Sequence, residues 1–241
     1  LHRIGIHFKK FLNIGFSEAL LFGNTLEPVY LNPLFPYYLS QWGIDRDDNI
    51  MWCFDAQVRL AHTIFSAELL IDDYMYEDDP YPDKIAYKAG MATFLFDRLL
   101  TRVSYAFVDK WVYTKDDSIT VYENSGVPLG FPLGNDVDRL SASISYVNTS
   151  PVWPYVSFTY TRKGEGSIYL PYEEEGGDWN PPFPSGIVEK TLELSIGARV
   201  LYQNRLVFRG EVGRKSWSNY QHTAGQEEDE TFFDLTLWAI L

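Results

Sequence analysis

A single cysteine, Cys53, leaves this chain without a partner for an internal disulfide and without a second thiolate for a zinc cluster. It reads as a small packed residue. No run of 18 or more apolar residues occurs in the 241, so no transmembrane helix is encoded. Cations are scarce: 20 Lys and Arg stand against 33 Asp and Glu, a formal net charge of −13. That balance argues against a nucleic-acid partner, because phosphate neutralisation needs clustered Lys and Arg. Catalytic signatures are missing as well. There is no Gly-x-Ser-x-Gly elbow, no His-Glu-x-x-His and no glycine-rich phosphate loop, and His2, His7, His62 and His222 fall in different candidate strands or loops. No basic, apolar and small-residue leader follows Leu1, so a mature or truncated segment is expected and secretion has to be inferred from the fold.

What the chain does have is aromatic mass and a period of two. Aromatic residues make up 17 % and hydrophobic residues 46 %, enough for a folded body, while a mean hydropathy of −0.20 suits strands that alternate apolar with polar. In 192–200, Leu192, Leu194, Ile196, Ala198 and Val200 share one face; Glu193, Ser195, Gly197 and Arg199 share the other. The pattern recurs in Leu206, Phe208, Gly210 and Val212 against Val207, Arg209, Glu211 and Gly213, and in Phe233, Leu235, Leu237 and Ala239 against Asp234, Thr236 and Trp238. A strand that hides one face and places Arg and Glu on the other suits a membrane β-barrel with a wet lumen.

Eleven such stretches are predicted: 2–9, 11–22, 49–60, 62–72, 84–96, 100–112, 138–147, 153–163, 188–201, 205–216 and 232–241. Their connections alternate strictly. Those at Lys10, Ala61, Asp97–Leu99, Asn148–Val152 and Tyr202–Asn204 are short, whereas 23–48, 73–83, 113–137, 164–187 and 217–231 are long. Outer-membrane barrels sort their loops this way, tight on the periplasmic side and long outside. The predicted class is therefore all-β, an antiparallel transmembrane β-barrel of the outer-membrane type, folded as one domain over 1–241. Bacterial barrels have even strand numbers, so an odd count implies that an upstream strand is absent or that one more element lies within 26–42.

The polar strand positions collect charges of both signs: Asp55, Arg59, Glu68, Asp72, Lys84, Lys88, Arg102, Glu193, Arg199, Arg209, Glu211 and Asp234. Inward residues on neighbouring strands lie about 5 Å apart, so a lumen laced with ion pairs is expected, serving either as a channel or sugar-binding interior or as a stiffening network. Acidic segments at Asp72–Asp79, Glu173–Glu175 and Glu227–Glu230 read as external-loop carboxylates, either solvated or bridged to lipopolysaccharide by divalent cations; none has EF-hand spacing. Segment 113–137 is dense in Gly and Pro and is expected to be ordered, folding into or across the mouth. Trp111, Tyr113, Tyr122, Trp179, Trp217 and Tyr220 lie near the external ends, placed for a membrane girdle or for stacking on sugars. Aromatics beside carboxylates suit hydroxyl-rich ligands, which makes Tyr122, Asp136, Asp178, Trp179 and Trp217 the candidate contacts. No catalytic residue, metal site or cofactor is expected.

Several stretches resemble the Wzi family of outer-membrane capsule-assembly proteins: Asn13–Gly23, Tyr30–Leu34, Asp47–Asn49, Glu68–Asp73 and, most specifically, Pro128–Asp138. The resemblance implies a barrel of about eighteen strands preceded by a periplasmic helical region, of which this chain would be the C-terminal, barrel-forming portion. It also implies a noncatalytic surface lectin that helps attach capsular polysaccharide to a Gram-negative cell. Expected partners are outer-membrane lipids, lipopolysaccharide, surface polysaccharide and other envelope proteins. A passive channel or structural barrel subunit is the second expectation, and a membrane-embedded hydrolase the third.

Overall fold

Eleven long strands, each hydrogen-bonded to the next in chain order, form one antiparallel sheet in the computed structural model. The structure describes residues 1–23, 27–32, 34–44, 48–73, 82–116, 120–202 and 206–239. In chain order the strands are β1 (His2–Phe8), β2 (Leu12–Leu21), β3 (Asn49–Leu60), β4 (Thr63–Asp73), β5 (Lys84–Leu95) and β6 (Leu99–Val108). A two-strand hairpin, β7 (Glu123–Asn124) and β8 (Val127–Pro128), follows on its own. The sheet then resumes with β9 (Val137–Tyr146), β10 (Val152–Lys163), β11 (Glu189–Tyr202), β12 (Leu206–Ser218) and β13 (Glu227–Ala239). The edge strands β1 and β13 pair on one side only, so the sheet is open.

The predicted strands coincide with the observed ones to within a few residues, apart from two ends. The sixth stops at Val108 rather than 112, because Asp109 and Trp111 turn the chain: their carbonyls accept from Val112 and Thr114, and Tyr113 takes a positive φ. The last begins at Glu227 rather than 232. Glu227–Glu230 are thus strand residues and not a loop, and the connection predicted over 217–231 contracts to 219–226. Asp229 accepts from Arg214 (2.9 Å) and Ser216 (2.5 Å) on β12, which extends the ladder through this acidic run. Asp72 likewise belongs to β4, while 74–79 of that acidic segment lie outside the described residues. The described part of 26–42 holds a 3-10 turn (Pro28–Leu31) and a helix, α1 (Tyr37–Ile44), not a further strand.

Short connections need tight reversal, and they achieve it without glycine. Lys9, Ala61, Phe96 and Asp97 all sit at positive φ. The turn predicted at 202–204 falls mainly on residues outside the description. The long connections lie at the opposite end of the sheet, and those at 109–136 and 164–188 fold back onto its polar face.

The register fixes which residues share a face. Arg3, Ser17, Asp55, Glu68, Lys88, Ser104, Ser141, Ser157, Ser195, Glu211 and Asp234 lie on one side; Ile4, Ile14, Phe54, Leu69, Val103, Ile144, Val156, Ile196, Val212 and Phe233 lie on the other. The polar side gathers contacts between alternate strands. Arg3 on β1 reaches Asp55 on β3, and Tyr155 on β10 reaches Glu211 on β12, each across an intervening strand. Strands two apart are separated by roughly 9.5 Å in a flat sheet, so such contacts require long side chains converging over small residues. Gly15 and Gly197 stand at those crossings. A Cβ on Gly197 would lie 2.5 Å from the Gly210 carbonyl and 2.7 Å from the Tyr155 ring.

Burial is inverted relative to a water-soluble protein. On β11, Leu194 is 54 % and Ile196 61 % exposed, while Ser195 between them is 6 % exposed. On β13, Phe233 and Leu235 are more than 70 % exposed. The apolar core is instead a small cluster at the long-connection end of the polar face. There Met51, Ala86, Val108 and Val137 from the strands meet Val112, Tyr113, Val121 and Ile168 from the loops.

Candidate functional site

Two regions concentrate polar chemistry: the cap over the long-connection end and the polar face beneath it.

The cap is built by segments 109–116, 120–136 and 164–188. Tyr113, buried in the core cluster, donates its backbone N–H to Asp72 (2.6 Å), accepts from Phe131 N–H at its hydroxyl (3.2 Å) and stacks on Tyr122 (centroids 5.5 Å apart). Burial pushes the Tyr113 phenol up to about 12, so it stays protonated at neutral pH. Trp111 is equally enclosed. Its indole N–H donates to the Trp179 carbonyl (3.0 Å), and Lys110 lies 4.4 Å over its ring while pairing with Glu175 on the short helix α2 (Tyr172–Glu175) at 2.7 Å. Ser125 and Gly126 at positive φ make the tight turn between β7 and β8. The Gly- and Pro-rich segment is thus ordered where it is described, and it packs on the inner face of the sheet.

Asp136 fastens this cap. Its carboxylate accepts from Ser185 N–H (3.0 Å), Ser185 Oγ (2.6 Å) and Gly166 N–H (2.8 Å), and the residue is 0 % exposed. Gly164 is glycine because a Cβ there would lie 2.1 Å from that carboxylate. Lys163 adds two bonds, to the Asn135 and Gly166 carbonyls, both 2.7 Å. Asp109 stands close by. Burial raises its carboxyl above the usual range, the Trp111 amide opposes that, and the Asp136 charge adds to it.

Of the predicted ligand contacts, Asp136 is corrected to an interior fastening residue, since a fully enclosed carboxylate with three protein donors cannot meet an external sugar. Tyr122 is partly buried against the core cluster. Trp179, 46 % exposed, and its exposed neighbour Asp178 stand at the surface beside the cap, where Asp178 accepts from Asn180 N–H (3.0 Å). Trp217 lies apart on β12, edge-on to Tyr220 at 5.6 Å. The five do not converge on one site.

The twelve predicted lumen charges do share one face, and they make fewer ion pairs than expected. Asp55 pairs with Arg3, and Arg209 with Glu211 (2.7 Å), while Glu193 lies 3.4 Å from Lys215. Asp72 is taken by the Tyr113 amide, Arg59 donates to Gln57 and Asp234 accepts from Thr236. Glu68 sits in register between Asp55 and Lys88. Arg102 and Arg199 have no carboxylate partner among the described residues.

Sequence reasoning missed two polar clusters. Asp138 is 5 % exposed and takes Arg162 bidentately as well as the Tyr105 hydroxyl (2.9 Å). Glu18 accepts from the Tyr37 and Tyr38 amides (2.6 and 3.0 Å), capping α1 against the outward face of β2. Strand register would have revealed Arg162 opposite Asp138; nothing in the linear pattern pairs Glu18 with a helix nineteen or twenty residues on.

Among the described residues no group of three or more His, Cys, Asp or Glu is placed to hold a metal ion. No helix there is long and apolar enough to cross a membrane, which leaves strands unaddressed. No protein-family model matches this chain, and no curated protein matches it either.

Proposed function

We propose that this chain is the barrel-forming part of a noncatalytic outer-membrane protein, Wzi-like in kind, that binds or organises surface polysaccharide through its long external connections. The inversion of the two faces carries the reading. A sheet that exposes Leu194, Ile196, Phe233 and Leu235 on one side and covers Ser195 and Glu211 on the other matches lipid outside and a wet interior. An apolar hollow of about 680 Å³ on the outward face, lined by Ile144, Val156, Leu194, Ile196 and Val212, fits acyl chains rather than hydroxyl-rich ligands. In this reading, strands beyond β1–β13 bridge the free edges of β1 and β13 to close the barrel, and the capped end faces the cell exterior.

Polysaccharide binding rests on the exposed Trp179–Asp178 pair beside the cap and on Trp217 at the same end, aromatic faces next to oxygen acceptors. The test is a capsular-polysaccharide pull-down with the full-length protein in detergent, wild type against a Trp179→Ala, Trp217→Ala double variant. The reading expects selective binding that the double variant loses; a wild type that retains no glycan contradicts it. Ion conductance in planar bilayers without glycan affinity would favour the passive-channel reading, to which the charged polar face also lends support.

A further inference from the structure

A hollow of about 310 Å³ lies midway along the polar face, away from the cap and its aromatic residues. Three arginines line it, Arg102 on β6, Arg199 on β11 and Arg209 on β12, together with the acid Glu193. The charges do not balance. Arg209 is committed to Glu211 and to the Tyr155 hydroxyl, and Glu193 leans toward Lys215 and also feels Arg139. Arg199 lies 5.5 Å from the centre of the Tyr155 ring, and Arg102 has no partner among the described residues except the repulsive charge of Arg199. Two guanidiniums that repel each other in a partly enclosed space favour an anion between them, because a shared oxyanion relieves the repulsion and satisfies their N–H groups.

Most of the rest of the lining is hydroxyl, with Ala142 and Phe158 beside it. Ser104, Ser141, Ser143, Ser157 and Thr159 occupy neighbouring strands, paired in register as Ser104 with Ser141 and Ser143 with Ser157. Each hydroxyl both donates and accepts, which suits a polyol more than a bare ion. The volume is at the lower end for small-molecule sites and suits one sugar unit rather than a chain segment.

We propose that this hollow binds a sugar acid, its carboxylate held between Arg102 and Arg199 and its hydroxyls on the serine ladder. The site is separate from the external glycan surface, so either can exist without the other. Isothermal titration of the full-length protein in detergent with glucuronate, glucose and inorganic phosphate tests it. Glucuronate should bind while glucose does not. Arg102→Gln or Arg199→Gln should each weaken glucuronate by about tenfold or more, as expected for a charge-assisted contact. Ser143→Ala, which keeps every charge, should weaken it about fivefold and leave phosphate unchanged. Arg214→Gln, on the outward face, should have no effect. Equal binding of glucose, phosphate binding in place of glucuronate, or glucuronate affinity unmoved by Arg102→Gln, Arg199→Gln and Ser143→Ala would each overturn the assignment.

Discussion

Along β11 the outward and inward positions obey opposite rules. Leu194 and Ile196 touch little, and any apolar medium beside them would stabilise the sheet, whereas Ser195 and Gly197 are hemmed in by Tyr155, Glu211 and the neighbouring strands. In the proposed reading the outward face meets lipid, while the inward one fits specific neighbours. Substitutions should therefore be judged by side: away from the outward charge pairs Asp138–Arg162 and Arg214–Asp229, outward positions tolerate any apolar shape and reject charge, while inward ones tolerate charge and reject misfitting shape.

The largest effect that could break this contrast is a charge placed outward. Ile196→Arg should cost about 2–4 kcal/mol of folding into vesicles, the range for a basic residue facing the middle of a bilayer, while Thr191→Lys on the inner side of the same strand should cost less than about 1 kcal/mol. Heat modifiability on gels, or urea unfolding in vesicles, reads both; equal costs would remove the distinction between faces.

Next comes the cap. Asp136→Ala strands three donors, Ser185 N–H, Ser185 Oγ and Gly166 N–H, and should cost about 3 kcal/mol locally, seen as faster protease cleavage within 164–188. Asp178→Ala, at the surface nearby, should stay within about 0.5 kcal/mol of wild type.

Shape on the inner face is tested by glycine. Gly197→Ala forces a Cβ against the Gly210 carbonyl and the Tyr155 ring and should cost about 1–3 kcal/mol in urea unfolding. Gly5→Ala, whose Cβ would meet nothing nearer than 3.9 Å, should be close to silent.

The smallest effect is a pH dependence. Burial raises the Asp109 carboxyl, so the fold disfavours its charged form; that group's contribution is fully present below its unfolded pKa and is lost as pH rises through the raised folded value. Protease resistance of the cap should accordingly fall as pH rises above the ordinary carboxylate range, and Asp109→Asn should flatten the change. An unchanged profile in the variant would assign the dependence to other groups.

The strands were legible because alternation is local: each needs only its own ten residues to declare both faces, and the register then brought all twelve predicted lumen charges to one side. The cap was not. Asp136 looked like a loop carboxylate available to ligand because Ser185, which encloses it, lies 49 residues away. The acidic run at 227–230 misled for a related reason, since charge suggested a loop while Arg214 and Ser216 on the neighbouring strand hold Asp229 in the ladder. Helix α1 escaped notice because its N-terminus is capped by Glu18 from β2 rather than by a residue beside it.

The central claim, that the apolar face meets lipid, is most directly tested by spin labels placed singly at 192–200 of the full-length protein in bilayers, with Cys53 replaced by Ser. The account predicts that 192, 194, 196, 198 and 200 are reached by oxygen dissolved in lipid and shielded from a water-soluble nickel quencher, with the positions between them not reached from lipid. Nickel access at the even positions, or no alternation at all, would contradict it.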